Sequence, residues 1–538
     1  MSVRETNALE DRAGSARSAV STRAAFSRRT RAESAISLDP GDTGCHSSRT
    51  AFIRPSAESR PAQLPPYAAP LTSVCGPPGE VRRDDSVTNP DASSGRPRTG
   101  HPDVLVFLTD QQRWDTTGTH GNPHGLTPVL DRLAARGLDV DRSFTCQPVC
   151  APSRAALQTG RYPTDTGVFR NALPLPPGTR TLAHHFGAAG YETGYIGKWH
   201  LAGDEHTGPV PEELRGGYDH WLAANLLEFT SDAYQTTLYD RDGAPHTYDG
   251  YRADALGEAA LEWIRRERER PSFLFLSFLE PHHQNSRDDY PAPHGYRERY
   301  ADPWTPSDLT ALGGGNAPEH LAGYYGMVRR LDEVLGRIVD ALDERGTLDE
   351  TVILFTSDHG CHFKTRNDEY KRSVHDASVR VPTVLHGPGF HGAGRLPELV
   401  SHVDLPPTLL DAAGLPVPAR MQGRSLLPLL RGGAEPPWPE EVLIQVSESE
   451  VGRALRTGRW KYGAVAPGAD PWHDASAGHY TDAYLYDLHA DPDELTNLVG
   501  EPALADVLDG LRARLADRIA ASGEPRPLIG PAAGQRGH

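Results

Sequence analysis

Two cysteines stand four positions apart in C-Q-P-V-C-A-P-S-R, Cys146 to Arg154, and open three chemistries: a metal site, a disulfide or a nucleophile. A zinc site needs more Cys or His at ligand spacing nearby, and none follows. A Cys146–Cys150 disulfide is disfavoured in a reducing compartment. Pro152 suits the first turn of a helix over Ser153–Gln158, which puts Cys150 just ahead of a helix N-terminus. That end of a helix attracts anions and lowers a thiol's pKa. The residues by themselves mark Cys150 as a reactive cysteine.

Further candidates close apolar runs. Asp110 and Gln111 follow Val104–Thr109, and Lys198 and His200 close Y-E-T-G-Y-I-G-K-W-H. His282 and His283 close S-F-L-F-L-S-F-L-E-P-H-H, and Asp358 and His359 close E-T-V-I-L-F-T-S-D-H. Two carboxylates, the Gln111 amide oxygen and the His359 nitrogen suit one divalent cation bound mainly through oxygen, Ca²⁺ or Mg²⁺ before Zn²⁺, with Mn²⁺ a further candidate. Lysine is scarce: Lys198, Lys364, Lys371 and Lys461 are the only four among 55 Lys+Arg. Arginine is this chain's ordinary surface cation, so lysines inside polar motifs read as chosen for a compact charge. Arg154, Lys198 and Lys371, with His200 and His282, would line a pocket for a tetrahedral oxyanion beside the cation. Lys461 reads as a solvated surface charge.

These residues need a frame. The apolar runs are short enough for buried strands, and helices alternate with them. T-P-V-L-D-R-L-A-A-R-G-L carries Thr127 as N-cap, Pro128 at the first helical position and Gly137 at the end. A long amphipathic helix is expected over about Pro318–Arg345. The pattern predicts an α/β fold with a mostly parallel sheet flanked by helices, and such sheets bind ligands beyond the carboxyl ends of their strands. Residues 101–434 form this expected catalytic domain. Residues 435–538 read as a subdomain with a smaller antiparallel sheet built from E-V-L-I-Q-V-S-E-S-E, R-A-L-R-T-G-R-W-K-Y-G and A-Y-L-Y-D-L-H-A-D-P, plus a closing helix over A-L-A-D-V-L-D-G-L-R-A-R-L-A-D-R-I-A-A. It is expected to pack near the site and supply its rim.

Composition bounds the function. The 538-residue chain carries a net charge of −17, which argues against bulk nucleic-acid binding. Residues 1–100 hold 14 Arg against 11 Asp+Glu, or +3, leaving −20 for the remainder. This Arg-, Ser- and Pro-rich stretch lacks a sustained period and is expected to be a disordered tail. Five scattered cysteines do not make a disulfide scaffold. The chain shows no apolar run of membrane-span length and no apolar signal core, so the expectation is a cytoplasmic protein without a membrane partner.

Beyond this point the argument rests on likeness. C-A-P-S-R-A-A-L-Q-T-G-R, Cys150 to Arg161, resembles the C-x-P-S-R…T-G-R signature of the sulfatase family, which belongs to the alkaline phosphatase-like superfamily. G-Y-I-G-K-W-H-L resembles the family's second signature, T-S-D-H-G its metal motif, and Y-L-Y-D-L-H-A-D-P-D-E-L-T-N-L its C-terminal segment; the match runs from about Asp103 to Leu498. The resemblance implies hydrolysis of a sulfate ester, an organosulfate that includes the possibility of a sulfated sugar. It also implies that Cys150 is oxidised to formylglycine by a formylglycine-generating enzyme. One hydroxyl of the hydrated aldehyde would attack sulfur to give a covalent sulfo-enzyme, and collapse of the other would release sulfate.

Carried over by motif, Asp110, Gln111, Asp358 and His359 would bind the cation, with residue 150 also facing it. Arg154 would hold the formylglycine hydroxyl, Lys198 and Lys371 the sulfate oxygens, and His282 the leaving-group side, where P-H-H-Q also offers His283. His200 would be the base for the second hydroxyl. Lys371 is preferred to Lys364 because it lies nine residues before the Arg of V-R-V-P. Many members have two adjacent Asp where this chain has Asp110–Gln111. A phosphonate monoester or phosphodiester hydrolase is the alternative with the same machinery, and an inactive sulfatase-fold binding protein the alternative of another class. Asn225, Glu228, Arg287 and Trp304, in polar, aromatic-rich insertions near the site, are read as loop-packing residues.

Overall fold

A computed structural model describes residues 100–432 and 436–531. The expected tail at 1–100 therefore lies outside the described residues, apart from Gly100. The main sheet has twelve strands. Its middle is parallel: Asp103–Thr109 lies between Ser272–Ser277 and Thr351–Ser357, followed beyond Ser272–Ser277 by Glu192–Lys198 and then His220–Ala224. Antiparallel pairings flank this core, through Gln235–Asp240 on one side and Thr383–His386 on the other. The fold is α/β with a large, mostly parallel sheet, as the alternating pattern predicts.

The apolar runs are continuous because both sheet faces are covered. Val104, Val106, Leu108, Phe273, Phe275, Val352 and Leu354 point into one core, and Leu105, Phe107, Leu274, Leu276, Ile353 and Phe355 into the other. Each such side chain contributes roughly 1.5–3 kcal/mol on burial. The long helix Ala317–Glu344 covers the second face, packed beside the helix Arg252–Arg265. The first face holds Ala151, Ala155 and Leu157 of the helix Cys150–Thr159.

That helix begins earlier than expected, with Cys150 inside its first turn and Val149 as N-cap. Pro152 fits because the first N–H groups of a helix have no intrahelical partner to lose. The helix Pro128–Arg136 keeps the expected caps, Thr127 and Gly137.

The C-terminal region forms a separate five-stranded sheet. R-A-L-R-T-G-R-W-K-Y-G is a hairpin, Gly452–Thr457 paired with Trp460–Val465, and Glu441–Val446 and His479–Asp487 flank it, all antiparallel. The fifth strand, Leu528–Gly530, runs parallel to His479–Asp487. Leu508, Leu511, Leu515 and Ile519 of the helix Ala505–Ala521 share a core with Leu443, Leu455 and Tyr462, and with Cys146, Ala156 and Tyr162 around the Cys150 helix. Gln445 N–H donates to the Cys146 carbonyl at 2.8 Å, and the Gln445 side chain, Thr164 and Arg453 converge on Glu524. The small sheet thus backs the segment that carries Cys150.

The expectation of an exposed Lys461 is corrected here. It is fully buried on the middle strand of the small sheet, bonded to Asp376, to the Val374 carbonyl at 2.8 Å and paired with Glu494 at 2.8 Å. Two carboxylates replace the water that a lone lysine would need.

Candidate active site

The carboxyl edge of the parallel strands gathers the chemistry. Asp110 directly follows Asp103–Thr109, Lys198 ends Glu192–Lys198, Asp358 directly follows Thr351–Ser357, and His282 stands five residues beyond Ser272–Ser277. Backbone N–H groups knit these ends: Asp110 N–H donates to the Glu280 carbonyl at 3.1 Å, Asp358 N–H to the Thr109 carbonyl at 3.1 Å, and Gln111 N–H to the Asp358 side-chain Oδ1 at 3.0 Å.

Cys150 Sγ sits at the centre, 2 % exposed for the residue as a whole. His359 Nε2 lies 3.3 Å away, Lys371 Nζ 3.0 Å, Lys198 Nζ 4.0 Å and Asp110 Oδ1 3.8 Å. Burial and the Asp110 carboxylate push the thiol up, but Lys198, Lys371 and His359 outweigh them and hold it well below its usual value. Cys146 shows the opposite: burial pushes its thiol up, with no cation to oppose it. Cys146, Cys150 and Cys361 are free thiols.

Arg154 stands one turn along the helix. Its Nη2 donates to Asp110 Oδ2 and Asp358 Oδ2, both at 3.0 Å, and its Nη1 to Lys198 O at 3.0 Å and Ser277 Oγ at 2.6 Å. Here Arg154 fixes the two acidic side chains and makes no hydrogen bond to residue 150. Burial works to raise the Asp110 carboxyl, yet Lys198, His282 and Arg154 hold it well below the usual range. Burial and the Asp110 charge push Asp358 up.

The donor set fits a divalent cation. One donor atom each from Asp110, Cys150, Asp358 and His359 lies within 4.8 Å of the others, all buried. His359 Nδ1 bonds the Gly360 carbonyl at 3.0 Å, so Nδ1 carries the proton and Nε2 offers its lone pair inward. Gln111 directs its amide nitrogen to Tyr290 Oη at 2.7 Å, leaving a buried Oε1 without a partner. A buried acceptor left over in this way is the donor that an oxygen-seeking ion needs.

Lys371 Nζ also lies 3.0 Å from His359 Nε2 and 3.2 Å from His282 Nε2. Among the described residues no carboxylate pairs with it, whereas Lys198 is held by Asp110 at 2.9 Å and Glu228 at 3.2 Å. His282 Nδ1 donates to the His283 carbonyl at 2.6 Å, leaving Nε2 to face Lys371. His283 stacks between His282 and Tyr370, each ring 4.3 Å away, so the structure brings His282 rather than His283 to the centre. Lys364 pairs with Asp288 at 2.7 Å, outside the cluster.

His200 is the exception among the expected residues. Its backbone N–H donates to Asn225 O at 2.8 Å, its buried Nδ1 has no partner, and it makes no hydrogen bond to Cys150. Asn225 packs the neighbouring loop through Ala202, Gly203 and His206, as read from sequence, and Arg287 pairs with Asp232 at the surface. Glu228 departs from that reading, because it grips Lys198. Tyr290 on Gln111, Ser277 on Arg154, and His402 behind Ser153 complete the supports. Gln111 and His200 take φ of 68° and 60°, strained for side-chain-bearing residues and held only because their surroundings fix them.

A rim links the two sheets. Ala151 N–H donates to Asn171 Oδ1 at 3.0 Å, Asn171 N–H to Glu448 Oε1 at 2.7 Å, and Glu448 pairs with Arg372, the neighbour of Lys371, at 2.6 Å.

Comparison with known proteins places this geometry. A family model described as Sulfatase matches residues 102–415, and one described as N-sulphoglucosamine sulphohydrolase, C-terminal, matches 369–521. An ulvan-active sulfatase of Formosa agariphila is 30 % identical over 445 residues, spanning 79 % of this chain and 82 % of its own. A choline-sulfatase of Rhizobium meliloti is 28 % identical over 457 residues, spanning 75 % and 83 %. The solved structure of yidJ of Bacteroides fragilis shares the fold at a TM-score of 0.70 and 24 % identity, covering 81 % of this chain and 98 % of that one. The chain belongs to the sulfatase family and is a sulfuric ester hydrolase.

Proposed function

We propose that the chain hydrolyses the sulfate ester of an organic alcohol, a sulfated saccharide or a small organosulfate, at residue 150 after its conversion from cysteine to formylglycine. The observation that carries this reading is Lys371, a buried ammonium without a carboxylate, set 3.0 Å from Cys150 Sγ. Once residue 150 no longer carries a thiolate, that buried cation has no anionic partner among the described residues and calls for an anionic ligand. A relative active on ulvan and another on choline sulfate support the ester class and allow both a saccharide and a small alcohol.

The Cys150 Sγ stands where the formylglycine oxygens would be. Formylglycine, hydrated to a geminal diol, supplies one hydroxyl as nucleophile and a second through which sulfate is released. Asp110, Gln111, Asp358 and His359 would hold one divalent cation, Ca²⁺ by the weight of oxygen donors, which supplies positive charge beside the transferring group.

The chain's own residues do the remainder. Lys198 and Lys371 bind sulfate oxygens and stabilise the charge that builds on them, in a site whose burial strengthens the effect. Arg154 and Ser277 position the carboxylates. His282, its Nδ1 proton committed to His283 O, presents Nε2 as the group that can carry a proton for the departing alcohol. His200, two residues beyond Lys198, keeps a buried Nδ1 without a partner and is the candidate base for the second hydroxyl.

Mass spectrometry of the peptide spanning Cys150 tests the proposal by showing an aldehyde or a thiol. Parallel assays with an aryl sulfate and a phosphodiester test the ester. A thiol in a fully active enzyme, or preference for the phosphodiester, would overturn it.

A further inference from the structure

At the opposite edge of the main sheet a second donor cluster forms from Asp349, His386 and His391, with one donor atom of each within 4.8 Å of the others. His386 ends the strand Thr383–His386, antiparallel to Thr351–Ser357, and lies opposite Ile353. Asp349 occupies the short turn Leu348–Glu350 that leads into Thr351–Ser357. The cluster therefore sits at the start of the strand that delivers Asp358 at its other end. The turn between the two histidines is pinned at Gly387: its φ is +103°, and a Cβ there would meet the Thr351 carbonyl oxygen at 2.1 Å. Only glycine permits this approach, which holds the turn down on the Thr351 strand.

His386 carries the argument. It is fully buried, yet neither ring nitrogen has a hydrogen-bond partner. A buried imidazole in that condition loses its hydration with nothing in exchange, and such exceptions in folded proteins point to an unseen water or ion. His391 is prepared as well. Its Nε2 lies 3.1 Å from the Asp349 backbone carbonyl, which can only accept, so Nε2 carries the proton and Nδ1 keeps its lone pair. Ligating histidines are fixed in the same way, by donating the other ring nitrogen to a carbonyl.

The two rings lie 5.2 Å apart at 87°. Two imidazoles bound at about 2.1 Å to one tetrahedral ion have centres about 5 Å apart. An edge-to-face ring contact gives similar spacing but leaves both His386 nitrogens unsatisfied. Asp349 Oδ1 receives Arg136 at 2.9 Å, and Oδ2 remains for an ion; both side chains are more than half exposed, so the approach from solvent is open.

We propose that Asp349, His386 and His391 form a second metal site, for a borderline divalent cation such as Zn²⁺, with water completing its shell. Two imidazoles and one carboxylate suit Zn²⁺ and disfavour Ca²⁺ and Mg²⁺, which separates this site from the oxygen-rich one at Asp110 and Asp358. The bound ion ties the 387–393 turn to the segment before Thr351.

Zinc titration against a chromophoric chelator, on the full chain, tests this. The parent protein and His391→Ala are compared alone and with Cys150→Ala added, which separates zinc held by the active-site donors. His391→Ala should lose one equivalent of Zn²⁺ in both backgrounds, and the zinc-induced rise in melting temperature with it. Activity toward an aryl sulfate should stay unchanged. His391 is exposed, so this variant does not depend on the core surviving, as His386→Ala would. Equal zinc content with and without His391, or loss that follows only Cys150, overturns the site.

Discussion

The molecule buries two lysine clusters, and they differ in what is left over. Around Lys461 every charge is answered: Asp376 meets Lys461 and Arg456, and Glu494 meets Lys461 and the Asp376 N–H. Around Cys150, Lys371 has sulfur and two imidazoles but no carboxylate, and the neighbouring Gln111 Oε1 has no partner. Both clusters are buried, and both contain lysine and acid. Burial of charge alone therefore does not mark a site; incomplete pairing does, because free energy is reserved for a ligand.

Substitutions can break that contrast. The largest effect is expected for Cys150→Ala, which should abolish sulfate-ester turnover with an unchanged melting temperature; residual turnover at more than a trace would remove residue 150 from the chemistry. Next, Lys371→Ala should lower kcat about 10²–10³-fold, the usual cost of losing one preorganised charge partner, while stability holds or rises as an unpaired buried ammonium is removed. A variant that unfolds without losing specific activity would make Lys371 a structural residue like Lys461. Asp358→Asn should lower bound divalent cation and activity together, and full occupancy by elemental analysis would exclude Asp358 as a ligand.

Lys461→Met should do the reverse of Lys371→Ala. Removing one partner from a buried pair costs about 3–5 kcal/mol, read as an early chemical-denaturation midpoint, with kcat of the folded fraction nearly unchanged. The smallest effect belongs to Cys146→Ala. That thiol lies in an apolar core without a nearby cation, so activity should persist and stability fall by about 1 kcal/mol.

The same contrast explains what could be read from sequence. Cys150, Asp110, Lys198 and Asp358 were legible because each lies within a few residues of a strand end or helix start, where local pattern fixes position. The parallel core was legible for the same reason, since its strands are continuous apolar runs. Lys461 was not: its partners Asp376 and Glu494 are remote in the chain, and strand alternation alone does not reveal that they meet it. Glu228 lay in an insertion with no period to orient it. The three-residue strand Leu528–Gly530 is too short to carry a pattern. His200 shows the converse limit, because proximity to Lys198 in sequence did not bring its ring into hydrogen bonding with Cys150.

The contact between the small sheet and the Cys150 helix also sets an order in time. Gln445, Arg453 and Glu524, which close behind Cys146 and Thr164, follow the Cys150 helix in the chain and so emerge from the ribosome after it, and domains form as their segments emerge. Until then the thiol that ends 2 % exposed has no completed wall behind it. Under the proposed conversion of Cys150 to formylglycine, an oxidising enzyme would find the thiol most open in that interval, before the wall behind it closes.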